Sequence, residues 1–443
     1  MYTKPRGTRD IIGNESELFN RVVNKLGWVC RRFGYISIET PIFENSELFI
    51  RSIGQTSDIV QKEFYSFTDR SDRNLVLRPE GTAGVIRSVV EEKLLYNSPT
   101  PLKLYYSGPM FRYERPQSGR YRQFHQFGVE TIGVKAYAND LEIITLICQM
   151  IKELNLSFKN LRLRYNFIGS FEQRAKWIEL LKEYFAKYQD QLTPISQDRL
   201  KINPLRILDD KEDGVKPFVK KAPSLVSTLA NGFPKDFLQF QKELENVCKS
   251  FGLDLVFDQT LVRGLDYYTD FVFELESNDI KFADQKTIVG GGRYERLVAE
   301  LGGPETACIG FAIGLERFIN EIKSQFPNVI DYITKTFINN QPIKTVVIAD
   351  LVKDDNTAIQ KLLLTLLDHQ DRHKYKFFVN YDLVKLDQYL KFANKLNANY
   401  ILIIGDKEKK DNTITIKNLD SREQINIKND KNFIDSLFEF LNR

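Results

Sequence analysis

At 443 residues, with 42% hydrophobic and 28% charged side chains, the chain has the composition of a soluble globular protein of two or three domains. A net charge of +4 over that length is too weak to demand nucleic acid, and no apolar run approaches the ~18 residues of a membrane span. The opening MYTKPRGTRD carries no secretory hydrophobic segment, so the expected setting is the cytoplasm, with no membrane contact.

Cys30, Cys148, Cys248 and Cys308 are far apart, and only His125, His369 and His373 could join them, which leaves no pattern for a structural zinc cluster. The cysteines are expected to be reduced, buried, small apolar residues.

Glu15 to Phe33 has helical spacing, with Leu18, Val22, Leu26, Val29 and Phe33 on one stripe, and Gly34 is placed to cap it. The strand ISIETPIFE follows; Pro41 within it predicts an edge position or a subunit contact. Glu63–Phe67 and Asn74–Leu77 flank the turn-rich DRSDRN and predict a hairpin. Leu77 runs into RPEGTAG, where Arg78 and Glu80 stand at a strand end and Thr82 suits the N-cap of a helix from Ala83 to Leu95. A capping turn and nothing more would account for this motif equally well.

Leu102–Tyr106 leads into FRYERPQSGRYRQFHQFGVE, residues 111–130, which reads as two strands joined by a basic loop. On the incoming strand Phe111 and Tyr113 alternate with Arg112 and Glu114. On the outgoing one Phe124, Gln126, Gly128 and Glu130 share a face opposite Gln123, His125 and Phe127. A solvated hairpin would scatter its charge, whereas here Arg112, Glu114, Gln126 and Glu130 gather around Gly128, which is expected to leave room for a ligand. The arginines of the loop suit bidentate contacts to phosphate.

Asn139–Leu154 is a long apolar helix that completes a mixed sheet with helices. From about Asn166 to Asp254 the pattern turns helical (SFEQRAKWIELLKEYFAKYQDQL, Ser224–Leu229, Lys235–Phe251) and predicts an inserted helical domain. Strand character returns in LVFDQTLVRGLDYYTDFVFEL, whose break gathers Arg263, Gly264, Asp266, Tyr267 and Tyr268. TIVGGGRYERLVAEL reads as strand, glycine turn and helix, a geometry that brings backbone close to a ligand. CIGFAIGLERFI places Glu316 and Arg317 in the first turn of a helix, where an arginine is unfavourable unless an anion lies nearby. Beyond a linker at 335–343, TVVIAD, KFFVNYD and NYILIIG alternate with helices near Asp355–Asp371 and Leu386–Leu396. A hairpin and a final helix, Asn432–Leu441, complete a small parallel α/β domain without a dinucleotide fingerprint.

Together these motifs resemble those of class II aminoacyl-tRNA synthetases. The Pro41 stretch looks like the first motif of that class, 111–130 like the second and GFAIGLER like the third. RPEGT, LVRGLDYY and GGGRYE resemble signatures of the histidyl-tRNA synthetase family, and the likeness runs from RGTRDI through the C-terminal α/β domain. Glu295 departs from the aspartate usual after GGRY but keeps its charge, and the helical insertion is not recognisable by motif. The resemblance implies an α+β fold: a class II antiparallel-sheet catalytic domain in two segments (1–165 and 255–334), a helical insertion (166–254) and a C-terminal anticodon-binding α/β domain (344–443).

It also implies an activity, attachment of histidine to tRNA(His) through histidyl adenylate, with ATP and Mg²⁺ and no dedicated metal cage. Arg112 and Arg263 match the cations at the α-phosphate, close to the histidine carboxylate. Glu114, Phe124 and Arg317 match the remaining ATP contacts. Glu80, Gly81, Thr82 and Gln126 match the surroundings of histidine's amino and carboxylate groups, and Glu130, Tyr267 and Tyr268 its side-chain pocket. Arg115, Gln117, Arg120 and Arg122 match the loop that approaches the tRNA acceptor end, and the Pro41 region implies a homodimer. A catalytically silent regulatory or histidine-sensing relative is the alternative, but such proteins typically lose arginines and the C-terminal domain, and here both are present. RGLDYY argues against another amino acid. An RNA-binding module without chemistry would leave the Glu and Arg constellation unexplained.

Overall fold

The stripe of apolar residues near the N-terminus folds as the helix Asn14–Arg32, with Leu18, Val22, Leu26 and Val29 buried, and Gly34 follows at a φ of +83°. That left-handed geometry ends the helix as its sequence predicts. The computed structural model describes residues 2–54, 57–116, 119–210, 212–229, 232–262, 265, 267–279, 286–329, 332, 344–352 and 356–442.

The strand predicted through Pro41 is two pieces, β1 (Ile36–Ser37) and β2 (Phe43–Asn45), with the proline in the break because it has no N–H to give a ladder. β2 forms a small sheet with the expected hairpin of β3 (Ser66–Thr68) and β4 (Asn74–Leu77), in the order β2-β4-β3. β1 is the edge of the large sheet, whose other strands are β5 (Leu102–Phe111), β6 (Gln123–Ile132), β7 (Leu161–Phe167), β8 (Asp254–Phe257), β9 (Tyr268–Ser277), β10 (Thr287–Tyr294) and β11 (Cys308–Gly314). Their order is β1-β5-β6-β11-β10-β9-β7-β8. The inner pairings are antiparallel, and the two edge pairings, β1 with β5 and β7 with β8, are parallel.

Three local expectations change. Strand β5 stops at Phe111, so Arg112 and Glu114 stand beyond it rather than within it. The helix after RPEGTAG is Thr82–Glu91, followed by a short turn at Leu94–Asn97. Gly290, Gly291 and Gly292 form no turn but lie inside β10: a Cβ on Gly291 would stand 2.4 Å from the Gly310 carbonyl oxygen. Small residues are needed there because three strands pack closely, and the helix after them is only Leu297–Glu300.

Between β7 and β8 the chain is helical among its described residues, with Phe171–Ala186 opened by a Ser170/Gln173 capping box, Pro194–Ile202 and Lys235–Phe251. Ser224–Leu229 is a single 3₁₀ turn, Leu225–Thr228. The helix Ala138–Glu153 is buried on nearly every side, so its acidic residues need partners: Asp140 pairs with Arg293 at 2.7 Å and Glu142 with Lys103. All four cysteines are buried and free.

The C-terminal part follows its predicted order: β12 (Lys344–Asp350), β13 (Tyr375–Val379), β14 (Tyr400–Ile404), β15 (Thr413–Asn418) and β16 (Gln424–Lys428). β12 lies between parallel β13 and β14, and the β15–β16 hairpin extends the same sheet. Helices Asn356–Asp368, Leu386–Lys395 and Phe433–Leu441 accompany it.

Gly128 leaves room for Tyr106 rather than for a ligand. A Cβ there would lie 2.1 Å from that ring, and one on Gly81 equally 2.1 Å from it. The ring is therefore clamped between two glycines. Gly128→Ala is expected to destabilise the protein by about 1–3 kcal/mol through overpacking, seen as an earlier thermal transition, and adding Tyr106→Leu should recover part of the loss.

Candidate active site

A cavity of about 270 Å³ lies on the face of the sheet formed by β6, β9, β10 and β11. At one end is Glu130, only 1% exposed; the Thr82 hydroxyl donates to one of its carboxylate oxygens at 2.7 Å and the Tyr294 hydroxyl to the other at 2.6 Å. The carboxylate fits because Gly310 stands opposite on β11, where a Cβ would lie 2.0 Å from Glu130 Oε2. Burial pushes the Glu130 carboxyl up to about 8; the Tyr294 and Thr82 hydroxyls oppose this and nearby Glu80 reinforces it.

Glu80 accepts hydrogen bonds from the backbone N–H of Thr82 at 2.7 Å and of Ala83 at 2.8 Å. It therefore does the capping expected of Thr82, whose own hydroxyl is committed to Glu130. Burial raises the Glu80 pKa as well. Tyr267 and Tyr268 close the wall with ring centroids 4.7 Å apart, and Tyr267 meets Tyr294 edge-on at 5.5 Å. Gln126 lines the cavity nearby, its buried Oε1 without a hydrogen-bond partner among the described residues.

Cations gather along the rest of the cavity, beginning next to Glu80. Arg112 Nε donates to the Pro79 carbonyl at 2.8 Å, and its guanidinium stands 5.3 Å from the centroid of the Phe124 ring. Glu114 pairs with Arg120 and lies 4.0 Å from Arg112 Nη1. Arg317, in the first turn of the helix Leu315–Gln325, donates to the Thr287 carbonyl at 3.0 Å. Burial lowers the Arg317 pKa, the charges of Arg120 and Arg112 push the same way, and Glu114 opposes them. Three guanidinium groups, with Glu114 and Glu274 beside them, make a pocket that favours a multiply charged anion.

Beside Arg317, Glu316 is 4% exposed and accepts the backbone N–H of His125 at 3.0 Å while meeting its ring Nδ1 at 2.9 Å. This ties β6 to the helix that carries Arg317. Glu316, Tyr106 and Tyr294 all escaped the sequence-derived site. Tyr294 closes the GGGRY motif and could have been included; Tyr106 becomes recognisable only once strand register sets it opposite Gly128.

The remaining predicted residues are placed less uniformly. Gly81 packs beneath Tyr106, Arg115 is exposed, and Arg120 is on the cavity wall. Arg122 lies 3.7 Å from the centroid of the exposed Tyr113 ring and donates to the Glu114 carbonyl at 3.2 Å, and it is not on the cavity wall. Gln117, Arg263, Gly264 and Asp266 lie outside the described residues. Asp258, which together with Asp266 could by sequence have paired with Arg263 at the strand end, is held by Arg164 at 2.5 Å. Among the described residues no group of three His, Cys, Asp or Glu side chains is placed to hold a metal, and no helix is long and apolar enough to cross a membrane.

The raised Glu130 pKa has a definite sign for stability. Between about pH 4.5 and 8 the folded state holds a proton that the unfolded chain has released, so stability falls as pH rises through that window and levels off above it. The melting temperature of Glu130→Gln relative to the parent protein should therefore move in the variant's favour from about pH 5 to about pH 8.

Comparison with known proteins agrees with this geometry. A family profile described as histidyl-tRNA synthetase matches residues 7–318, and one described as an anticodon binding domain matches 345–437. The histidine–tRNA ligase of Malacoplasma penetrans is 46% identical over 428 residues, covering 97% of this chain and 96% of that protein. That of Ureaplasma urealyticum serovar 10 is 42% identical over 423 residues, covering 96% of each. Apo histidyl-tRNA synthetase from S. aureus superposes over 100% of both chains with a TM-score of 0.58 and 30% identity. Full-length similarity at this level means that the chain belongs to the histidyl-tRNA synthetase family.

Proposed function

We propose that the cavity holds histidine at its carboxylate and tyrosine end and ATP at its arginine end, and that the chain ligates histidine to tRNA(His) in two steps. The observation that carries this reading is one continuous cavity that joins the buried acids Glu80 and Glu130 to a cluster of three guanidinium groups, Arg112, Arg120 and Arg317. In the first step the histidine carboxylate attacks the α-phosphate of ATP, forming histidyl adenylate and releasing pyrophosphate. In the second a terminal ribose hydroxyl of the tRNA attacks the acyl carbon and AMP leaves.

Glu80 and Thr82 suit the amino group, and Gln126, with its open acceptor, an N–H of the same amino acid. Glu130 with Tyr267 and Tyr268 suits the imidazole, whose two nitrogens ask for different partners. Arg112 approaches the α-phosphate and Phe124 stacks on adenine, with Glu114 ordering that end and Arg317 reaching the terminal phosphate. Catalysis is then orientation and charge stabilisation by preorganised cations, with Arg263 as the second cation at the α-phosphate. Magnesium accompanying the nucleotide would find the carboxylates of Glu114 and Glu274 on the cavity wall, and would neutralise phosphate charge.

The exposed loop arginine Arg115 with Gln117, Arg120 and Arg122 serves the acceptor end, the residues from 344 onward the anticodon, and the inserted segment 166–254 stands as a domain between the two catalytic segments 1–165 and 255–334. A cytoplasmic homodimer joined near β1 and β2 is supported by the exposed apolar side chains there, Ile36, Ile42 and Phe43. Catalytic silence would leave the convergence of guanidinium groups without a charge to serve.

Histidine-dependent ATP–pyrophosphate exchange is the direct test; its absence in folded protein would refute the reading. Arg112→Ala should cost on the order of a hundred- to a thousand-fold in exchange rate, and Arg263→Ala a comparable amount. Glu130→Ala should raise KM for histidine by about ten- to a hundred-fold, the worth of a hydrogen bond in which either the imidazole or the carboxyl carries charge. Arg115→Ala should impair transfer to tRNA more than exchange, and equal loss in both assays would place it at the ATP instead.

A further inference from the structure

On the far face of the β5–β6 hairpin, behind the histidine end of the cavity, the C-terminal part of the chain docks through buried polar side chains. Strand pairing sets Leu104 opposite Glu130 and Lys103 opposite Thr131. Because side chains alternate along a strand, Lys103 and Thr131 point away from the cavity, back to back with Glu130. Lys103 is 2% exposed, pairs with Glu142 and donates to the Phe33 carbonyl at 3.3 Å.

The same network continues into the C-terminal sheet. Tyr381, just past β13, hydrogen-bonds Glu142 and accepts a hydrogen bond from Gln360 at 2.5 Å. Phe378 of β13 places its ring centroid 4.7 Å from the Lys103 ammonium, and Asn380 donates to the Thr100 carbonyl at 2.5 Å. Tyr35, 5.5 Å from that ammonium, hydrogen-bonds the Thr131 hydroxyl at 2.7 Å. A buried ion pair adds little net stability over apolar residues of the same volume, yet breaking it from one side is costly, so what it supplies is a fixed geometry.

We propose that Tyr381 and Lys103 are positioning residues, which transmit the docking of the C-terminal domain to the strand that carries Glu130 and so set the affinity for histidine. The inference rests on the reading that Glu130 holds histidine. It adds that residues in another domain, remote from any substrate, tune that contact.

The test uses the full-length protein and pyrophosphate exchange without tRNA. Tyr381→Phe keeps the ring and removes only the hydroxyl; it should raise KM for histidine about five-fold or more, with kcat and KM for ATP within about two-fold. Thr131→Val should act in the same direction, and the double variant should fall short of the product of the two effects. If Tyr381→Phe does not fold, Gln360→Met disturbs the same phenol from its outer side and is read in the same way. An unchanged histidine KM, or an equal rise for histidine and ATP, overturns the proposal. Glu130→Ala run alongside separates the two ideas: a raised KM there with normal Tyr381→Phe and Thr131→Val refutes the positioning alone, and a normal KM there refutes the histidine reading beneath it.

Discussion

A carboxyl group at 1% exposure is the constraint around which the catalytic half is arranged. Desolvation disfavours its charge, so the surrounding chain must bring donors to it and keep bulk away from it. Two hydroxyls supply the donors, from Thr82 on a helix start and Tyr294 at the end of β10. Gly310 supplies the space. Its other neighbours follow from the same demand: Tyr106 fills the volume beside it and is accommodated by Gly81, at the helix start that carries Thr82, and Gly128, on the strand of Glu130 itself. Four segments distant in sequence are thus fixed to one another by a single acid.

The arginine end is arranged on the opposite logic. There the protein gathers like charges and lets burial and mutual repulsion depress the basicity of Arg317. Glu114 offsets only part of this. Such an arrangement is poor for stability and good for holding an anion, and Glu316 keeps it in place by tying the first helical turn to the backbone of His125. Strain of this kind, stored at a site and restrained by its neighbours, is where sequence rules and local preference part company.

Much of the site was legible in the chain, and the exceptions have physical reasons. Strand alternation was enough to put Phe124, Gln126 and Glu130 on one face, because period two is a property of the backbone. Thr82 was read as a cap because a threonine before a helix usually is one; a buried carboxylate 48 residues further on competed for its hydroxyl, and Glu80 took over the cap. The triple glycine suggested a turn by composition. It is a strand because Gly310 and Phe273 crowd it from both sides, a fact that only tertiary register contains. Tyr106 sits in an ordinary apolar strand sequence, and nothing local distinguishes it from Tyr105.

The helix Ala138–Glu153 bears on how the molecule is made. It is apolar enough to collapse early, yet Asp140 waits for Arg293, 153 residues later in the chain, and Glu142 is completed by Tyr381, later still. Burial, helped by the charges of Asp270 and Glu295, lifts the Asp140 carboxyl to about 6 even with its arginine in place. During synthesis, then, the central helix can bury its apolar faces long before its acids are satisfied. The catalytic core therefore reaches its final polar pairing only when the last domain has left the ribosome, and a chain arrested before Arg293 carries Asp140 at its centre without its arginine.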